Sequence, residues 1–203
     1  MAKLTFIYGT MSSGKTSDLI QTAYKYNSKG LKAILLKPEE DTKGNDKVVS
    51  RIGLEKEVDI VLGKQESLFD YKEQLADITC LIVDEAQFLS ERQIFELFVL
   101  TKDYDIPVIC YGLKTDFQGY LFEGSKTLFA LADNLEKLKA LCKTPNCKNN
   151  ASFNARIIDG EYVYDGPKVL ICKDKEEREP YDALCSECYL QKVLKPNKFK
   201  KMI

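Results

Sequence analysis

The chain has 203 residues, of which 44% are apolar, and its formal net charge is −1. This length supports one sizeable hydrophobic core and a small appendage. The near-zero charge argues against nucleic acid or a membrane surface as a partner, and no apolar run approaches the roughly 20 residues of a membrane-spanning helix. Because the first residues run directly into a predicted core strand, we expect no signal peptide and a cytoplasmic protein.

The chain contains seven cysteines and no histidine. In a cytoplasmic protein, cysteines are expected to be thiols or metal ligands rather than disulfides. Cys80 and Cys110 lie in or beside apolar, strand-like runs, so we predict that both are core residues. A general base must then be a carboxylate, lysine, tyrosine or cysteine, and any metal site must be built without imidazole.

The first predicted strand, residues 4–8, leads into the sequence GTMSSGKT, and a segment with helical spacing follows. Two glycines separated by four residues and followed by lysine and threonine form the phosphate-binding P-loop pattern. Its backbone N–H groups converge on a phosphate, and the helix N-terminus adds a positive dipole end. Lys15 is expected to reach the β- and γ-phosphates, and Thr16 to bind Mg²⁺. The predicted nucleotide-binding residues are Gly9, Thr10, Met11, Ser12, Ser13, Gly14, Lys15 and Thr16.

The next part of the chain alternates predicted strands and helices. Apolar runs predict strands at residues 33–36, 58–62, 79–83 and 107–111. Ser67 and Ser90 are predicted N-caps of helices, and the charged residues 39–47 are predicted to form a loop. This alternation predicts an α/β fold with a doubly wound parallel sheet, in which ligands bind outside the carboxyl ends of the strands.

Asp84 and Glu85 follow the buried strand predicted at residues 79–83. In P-loop enzymes an acidic residue at this point holds Mg²⁺ opposite the loop threonine, and Asp84 fits that role. Glu85 projects differently and is expected to accept a proton from an attacking hydroxyl or water. The alternative is that the two carboxylates only cap the next helix.

Residues 135–141 fit two secondary structures. Leu135, Leu138 and Leu141 have helical spacing, whereas Leu135, Lys137, Lys139 and Leu141 would share one face of a strand. From Cys142 onward the chain is polar and rich in turn-forming residues. We therefore predict two domains, residues 1–141 and 142–203, and read the basic tail at residues 195–201 as a solvated terminus.

Four late cysteines form two closely spaced pairs, Cys142 with Cys147 and Cys185 with Cys188. Two such pairs are typical of a tetrahedral zinc site with four thiolates. Four thiolates close the coordination sphere, so the zinc is expected to be structural. The alternative is four unrelated thiols. We interpret Cys172 as a loop residue.

Together these motifs resemble those of the type II thymidine kinases, the zinc-containing family of bacteria and the human cytosol. The matching segments are GTMSSGKT at residues 9–16, DEAQF at 84–88, YGLKTDF at 111–117 and the two cysteine pairs, in order along essentially the whole chain. The resemblance implies a P-loop NTPase (RecA-like) sheet flanked by helices, with a small zinc-binding lasso domain. It also implies ATP-dependent phosphorylation of the 5′-hydroxyl of thymidine or deoxyuridine to dTMP, in deoxynucleotide salvage for DNA synthesis.

The resemblance further implies roles for individual residues. Glu85 matches the catalytic base, Asp84 the acidic partner of Mg²⁺, and Asp41 a further carboxylate near the metal. The ATP site would include Asp84, Glu85, Ala86 and Gln87 beside the P-loop. The thymidine site would comprise Met11, Gln87, Leu113, Phe117, Phe122, Val169, Ile171 and Tyr181.

The family's lasso loop would lie within residues 148–184 and close over the base. This chain departs from the family pattern at Cys172 and Lys173, where glycines are usual, and at Cys188, where some members have histidine. The resemblance also implies a homotetramer and feedback inhibition by dTTP, without a nucleic-acid or membrane partner.

Two other classes of protein share parts of this pattern. A nucleic-acid-directed P-loop ATPase with a zinc ribbon would need a second motor domain and a basic surface, and the sequence provides neither. A regulatory module that only binds nucleotide would not need Glu85 in the position of a base.

Overall fold

The computed structural model describes residues 1–40, 47–50, 52–166 and 180–198. The strands in these residues are β1 (Leu4–Gly9), β2 (Ala33–Pro38), β3 (Lys47–Val49), β4 (Glu55–Glu57), β5 (Ile60–Leu62), β6 (Cys80–Val83), β7 (Val108–Leu113), β8 (Asn134–Lys137), β9 (Phe153–Ile158), β10 (Glu161–Val163) and β11 (Tyr181–Leu184). The α-helices are α1 (Lys15–Asn27), α2 (Lys72–Leu75), α3 (Glu91–Asp103), α4 (Glu123–Leu131), α5 (Ser186–Tyr189) and α6 (Lys195–Asn197). Turns of 3-10 helix lie at Leu68–Tyr71 and Ala86–Phe88, and a π-helical turn lies at Leu190–Leu194.

The centre of the fold is a six-stranded sheet in the order β5-β2-β6-β7-β1-β8. All of its strand pairs are parallel. Every residue of β2 and β6 is buried, as expected for central strands of a parallel sheet covered on both faces. The predicted α/β architecture with a helix-flanked parallel sheet is confirmed.

The two faces of the sheet carry separate hydrophobic clusters. Leu19 and Ala23 of α1 pack against one face, and residues of α3 and α4 such as Leu97 and Leu128 pack against the other. Cys80 and Cys110 are both fully buried, so their prediction as core residues is confirmed. No helix in the described part of the chain combines the length and apolar character needed to cross a membrane.

Two serine caps mark where helical structure begins, as predicted. Ser90 accepts from the Gln93 N–H, and the Gln93 side chain accepts from the Ser90 N–H, which completes a capping box at the start of α3. Ser67 forms a similar box, but the predicted single helix over residues 67–75 is wrong. A 3-10 turn and the short α2 occur instead, because Tyr71 leaves helical geometry with φ −100° and ψ 24°.

Residues 134–137 form β8, so the ambiguous segment begins as a strand, whereas residues 138–140 have no regular secondary structure. β8 pairs in parallel with β1 at the edge of the sheet. Because an edge strand there has one partner and mostly exposed side chains, its sequence carries neither a clear helical nor a clear strand period.

A second, antiparallel sheet in the order β10-β9-β11 lies entirely beyond residue 141. Its small core contains Cys142, Cys185, Leu184 and Tyr189. The domain boundary near residue 141 remains a prediction, although the change of sheet occurs on its C-terminal side.

Candidate active site and cysteine cluster

Residues 9–16 form a tight loop between the end of β1 and the start of α1. Gly14 adopts a left-handed conformation with φ 85° at the N-cap of α1, which glycine adopts without steric cost. At Gly9, an added Cβ would collide with the side chain of Ser13. Both glycines are therefore required by the geometry of the loop, as the P-loop pattern predicted.

The loop brings several polar groups together out of solvent. Lys15 is 8% exposed, and its Nζ donates a hydrogen bond to the Thr10 carbonyl at 2.8 Å. Thr10 Oγ1 and Ser13 Oγ are buried and have no hydrogen-bond partner among the described residues. Buried hydroxyls without partners are costly, and the oxygens of a bound phosphate would offer them acceptors.

Glu85 lies where β6 gives way to the 3-10 turn Ala86–Phe88, and its backbone is left-handed with φ 46°. Gln87 Nε2 donates to Glu85 Oε2 at 2.5 Å. Gln87 Oε1 accepts from the Leu113 N–H at 2.9 Å. The Gln87 side chain, only 2% exposed, therefore ties the Glu85 carboxylate to the end of β7.

The P-loop and Glu85 meet at the same edge of the sheet. Gly9 at the end of β1 lies beside Leu113 at the end of β7 in the parallel register, and Leu113 is bonded to Gln87. Asp84 is 4% exposed, and its Oδ1 accepts from the Glu85 N–H at 3.0 Å. The glycine-rich loop and the acidic pair, which are far apart in the sequence, therefore lie at the same edge of the sheet.

A small cavity of about 10 Å³, close to the space that one water needs, lies beside the P-loop. Thr10, Lys114 and Lys137 are among the residues that line it. Burial lowers the pKa of Lys114, and the nearby Lys137 ammonium lowers it further. Two ammonium groups thus make this side of the loop electropositive.

The loop between β7 and α4 supplies two of the three aromatic residues of the predicted thymidine site. Phe117 is 1% exposed, and its carbonyl accepts from the Tyr189 hydroxyl at 2.6 Å. Phe122 packs edge to face against Phe88, with 5.8 Å between ring centroids. Asp116 Oδ1 accepts from the N–H of Gln118 and of Tyr120, which shapes the turn after Phe117.

Strand β9 contributes two buried side chains that the sequence analysis did not single out. Asn154 Oδ1 accepts from the Met11 N–H at 2.8 Å, and Asn154 Nδ2 donates to the Thr115 carbonyl at 3.5 Å. Arg156 is fully buried, and its Nη2 donates to the Tyr181 hydroxyl at 2.9 Å. Asn154 and Arg156 are two residues apart on one strand, and this spacing could have predicted that their side chains lie on the same face.

The four late cysteines converge. Their Sγ atoms all lie within 4.8 Å of one another, with 3.8 Å between Cys147 and Cys185 and 3.9 Å between Cys188 and Cys147. A tetrahedral zinc with Zn–S bonds of about 2.3 Å places its sulfurs about 3.8 Å apart. The donor set and its spacing therefore fit zinc.

Hydrogen bonds favour the thiolate form in part of this cluster. Burial raises the pKa of the Cys142 thiol, but hydrogen bonds from the backbone of Cys185 and Thr144, together with the side chains of Thr144 and Cys147, outweigh it and lower that pKa to about 6. The Cys185 N–H lies 3.3 Å from Cys142 Sγ. Such N–H donors commonly surround sulfur ligands of metals.

Four residues with predicted or interpreted roles lie outside the described residues. They are Asp41, Val169, Ile171 and Cys172. The assignments of Asp41 to magnesium and of Val169 and Ile171 to the thymidine site remain predictions, as does the interpretation of Cys172 as a loop residue.

A family model described as thymidine kinase matches residues 2–189 of this chain. The chain belongs to the thymidine kinase family. The thymidine kinase of Rhodopirellula baltica is 40% identical over 190 residues, which cover 91% of this chain and 86% of that protein. The thymidine kinase of Enterobacteria phage T4 is 42% identical over 175 residues, which cover 84% of this chain and 89% of that protein.

A third thymidine kinase, from Pasteurella multocida, is 38% identical over 197 residues and is covered to 99% of its length. Among solved structures, Bacteroides Pif1 bound to single-stranded DNA aligns with 67% of this chain at 14% identity and a TM-score of 0.39, a likeness too weak to carry an argument. The resemblance inferred from the motifs is therefore confirmed at the level of the thymidine kinase family.

Proposed function

We propose that this member of the thymidine kinase family transfers the γ-phosphoryl group of ATP to the 5′-hydroxyl of thymidine or deoxyuridine. The products are dTMP (or dUMP) and ADP, and the reaction serves deoxynucleotide salvage. The observation that carries the proposal is the Glu85–Gln87–Leu113 connection beside the loop of residues 9–16. A hydrogen-bonded carboxylate beside a loop with the P-loop pattern supports phosphoryl transfer at this site.

The phosphate donor is bound by the loop of residues 9–16. Its backbone N–H groups and the Lys15 ammonium hold the phosphates. Asp84, Ala86 and Gln87 complete this side of the ATP site. The sheet order supports assignment to the P-loop NTPases (RecA-like). In this order, β7 lies between β1, which leads into the loop of residues 9–16, and β6, which leads into Asp84 and Glu85.

Thr16 and the buried Asp84 are the described residues that would hold Mg²⁺, and Asp41 is proposed as a further carboxylate near it. An oxygen-only donor set of this kind suits Mg²⁺. The chemistry that Mg²⁺ supplies when bound is neutralisation of the charge on the phosphates.

Glu85 is the proposed general base. Its carboxylate accepts the proton of the nucleoside 5′-hydroxyl as that oxygen bonds to the γ-phosphorus, while the bond from the γ-phosphorus to the β-γ bridging oxygen breaks and ADP leaves. Gln87 donates to Oε2 of Glu85, which leaves the orientation of the carboxylate fixed before the substrate arrives. Holding reacting groups in position in this way removes part of the entropic barrier.

Met11, Leu113, Phe117 and Phe122 are proposed to line the thymine pocket, and Tyr181 to contact the nucleoside. Phe117 and Phe122 come from one loop, which is held by the hydrogen bonds of Asp116 within it and by a hydrogen bond from the Tyr189 hydroxyl. Val169 and Ile171 are proposed to contribute from the lasso. Aromatic walls favour a planar base, whereas they supply no partner for a triphosphate.

The four cysteines are proposed to hold a structural zinc that ties β11 and α5 to residues 142–147. The small core around them has only a few apolar side chains, so a metal site would supply much of the stability of this part of the chain. The family also supports proposals of a homotetramer, of feedback inhibition by dTTP and of a cytoplasmic location.

The test is ATP-dependent phosphate transfer to thymidine, deoxyuridine, deoxycytidine, deoxyadenosine and deoxyguanosine by the purified chain. We expect turnover of thymidine and deoxyuridine alone, with the product identified as the 5′-monophosphate. A Lys15→Ala variant serves as the control for contaminating kinases. Transfer to none of the nucleosides, with ATP hydrolysis stimulated by DNA, would overturn the proposal.

A further inference from the structure

Arg156 has no part in the reaction proposed above, yet it is the bulkiest fully buried side chain in the described part of the chain. Arginine is almost never fully buried unless specific contacts compensate for its desolvation. The contacts that Arg156 makes therefore indicate what its burial serves.

The guanidinium of Arg156 connects two residues of the proposed thymidine site. Its central carbon lies over the Phe117 ring, 3.7 Å from the ring centroid, which is a cation–π contact. Its Nη2 donates to the Tyr181 hydroxyl at 2.9 Å. Phe117 follows a strand of the six-stranded sheet, whereas Tyr181 begins β11 of the other sheet, directly opposite Arg156 in the register.

The surroundings leave little freedom for any of these groups. The backbone of Phe117 is held by the hydroxyl of Tyr189 at 2.6 Å. On another side of the guanidinium, a Cβ at Gly166 would come within 2.9 Å of Nη1. Tyr189 thus fixes the backbone of Phe117, and the stacked guanidinium fixes the plane of its ring.

We propose that Arg156 is a positioning residue for thymidine recognition, because it orients the Phe117 ring and the Tyr181 hydroxyl towards the nucleoside. The inference rests on the proposed thymidine kinase activity. A planar guanidinium can stack on a ring and donate in its own plane at the same time. A lysine ammonium in the same place keeps the charge but has no plane to stack.

Two variants separate positioning from simple packing. Arg156→Met keeps an unbranched stem of similar reach without the guanidinium, and Arg156→Lys keeps the charge. For both, we expect KM for thymidine to rise roughly tenfold, the scale of a lost desolvated stacking contact. KM for ATP should stay within about twofold of the wild-type value, since neither contact reaches the P-loop.

Tyr162→Phe is the matched control. It removes a hydroxyl that donates to Asp182 at 2.8 Å in the same three-stranded sheet and leaves Phe117 and Tyr181 untouched. Its melting temperature sets the scale of a purely structural loss, and its two KM values should equal those of the wild type.

An unchanged KM for thymidine in a folded Arg156 variant would overturn the inference, as would equal increases in both KM values. Should neither Arg156 variant fold, Tyr181→Phe removes only the hydroxyl that accepts from Nη2. An unchanged KM for thymidine there would overturn the inference equally. If the wild-type chain does not phosphorylate thymidine at all, the proposed function itself fails. An active wild type whose Arg156 variants have an unchanged KM for thymidine would overturn only the inference about Arg156.

Discussion

At the scale of single residues, the site depends on one buried glutamine. Gln87 satisfies the Leu113 N–H and holds the Glu85 carboxylate with the same amide group. Glu85 itself has a left-handed backbone, which is uncommon for a residue with a side chain and often occurs at functional sites. The surrounding hydrogen bonds maintain this conformation, so the carboxylate is in place before any substrate binds.

Replacing Gln87 by leucine should impair both stability and catalysis. The Leu113 N–H would lose its partner, at a cost of about 1–3 kcal/mol in the free energy of unfolding. The Glu85 carboxylate would also lose its donor, and we expect kcat to fall by at least roughly tenfold. Steady-state kinetics and chemical denaturation measure the two effects.

Gln93→Leu is the matched control, because Gln93 is also 2% exposed and bonded through its amide, but at the start of α3. It should lose comparable stability with an unchanged kcat. Equal losses of kcat in the two variants would mean that Gln87 acts only through stability.

Phe117→Ala should affect the two substrates differently. The ring packs in the proposed thymine pocket, and losing an aromatic contact of this kind costs roughly tenfold or more in affinity. We expect KM for thymidine to rise by that factor and KM for ATP to change little. Equal rises in the two KM values would remove Phe117 from the base pocket.

The motifs could be recognised from the sequence, since their chemistry requires fixed residue types at fixed spacing. The left-handed backbone of Gly14 fits the turn that the pattern predicts, whereas the roles of Lys15 and Glu85 stay predictions. Asn154 and Arg156 were missed because their partners, Met11 and Phe117, are distant in sequence. No local pattern marks a contact that only the tertiary fold creates.

At the scale of elements, strand β9 joins the second sheet to the P-loop. Asn154 on β9 accepts from the Met11 N–H and donates to the Thr115 carbonyl, so one side chain spans the P-loop and the loop after β7. The Asn154 side chain is buried, where an unmade hydrogen bond is costly.

Asn154→Ala should therefore loosen the P-loop. Losing a hydrogen bond of about 1 kcal/mol corresponds to a rise of roughly fivefold in the Kd for ATP. Isothermal titration with ATP measures it. Asn197→Ala, which removes the donor to the carbonyls of Tyr162 and Val193, is the control and should leave ATP affinity unchanged. A matching loss of affinity there would contradict the role of β9.

Individual helices and strands differ in how clearly the sequence predicts them. Helix α3 begins with a serine cap and was found from it, whereas α4 follows Phe122 without any side-chain cap and was missed. Strands β3 and β4 have three residues each, too few for a period to emerge. Strand β6, buried on both faces, was predicted because a continuous apolar run has one common explanation.

At the scale of the whole molecule, the chain forms two sheets whose hydrophobic cores differ in size, and hydrogen bonds join them. The six-stranded sheet has extensive apolar clusters on both faces, while the three-stranded sheet surrounds a small cluster that includes the cysteines. Hydrogen bonds from Asn154, Tyr189 and Gln118 join the two parts. We therefore expect the smaller part to depend most on the proposed zinc for its stability.

Cys185→Ser should lower the bound zinc well below one ion per chain and reduce the melting temperature. A four-thiolate site contributes on the order of 10 kcal/mol of apparent binding free energy, so the loss should be large. Metal analysis and thermal unfolding measure both quantities. Cys110→Ala, at a buried cysteine outside the cluster, should lower stability without changing zinc content; wild-type protein without zinc would contradict the assignment.

The most direct test of the account concerns Glu85 as the base beside the P-loop. Single-turnover transfer of labelled γ-phosphate from ATP to thymidine should be compared for the wild type and Glu85→Gln, with the Kd of each substrate measured in parallel. We predict unchanged binding and transfer slowed by roughly 10²-fold or more, the scale of a lost general base. Transfer by Glu85→Gln at the wild-type rate would contradict the account.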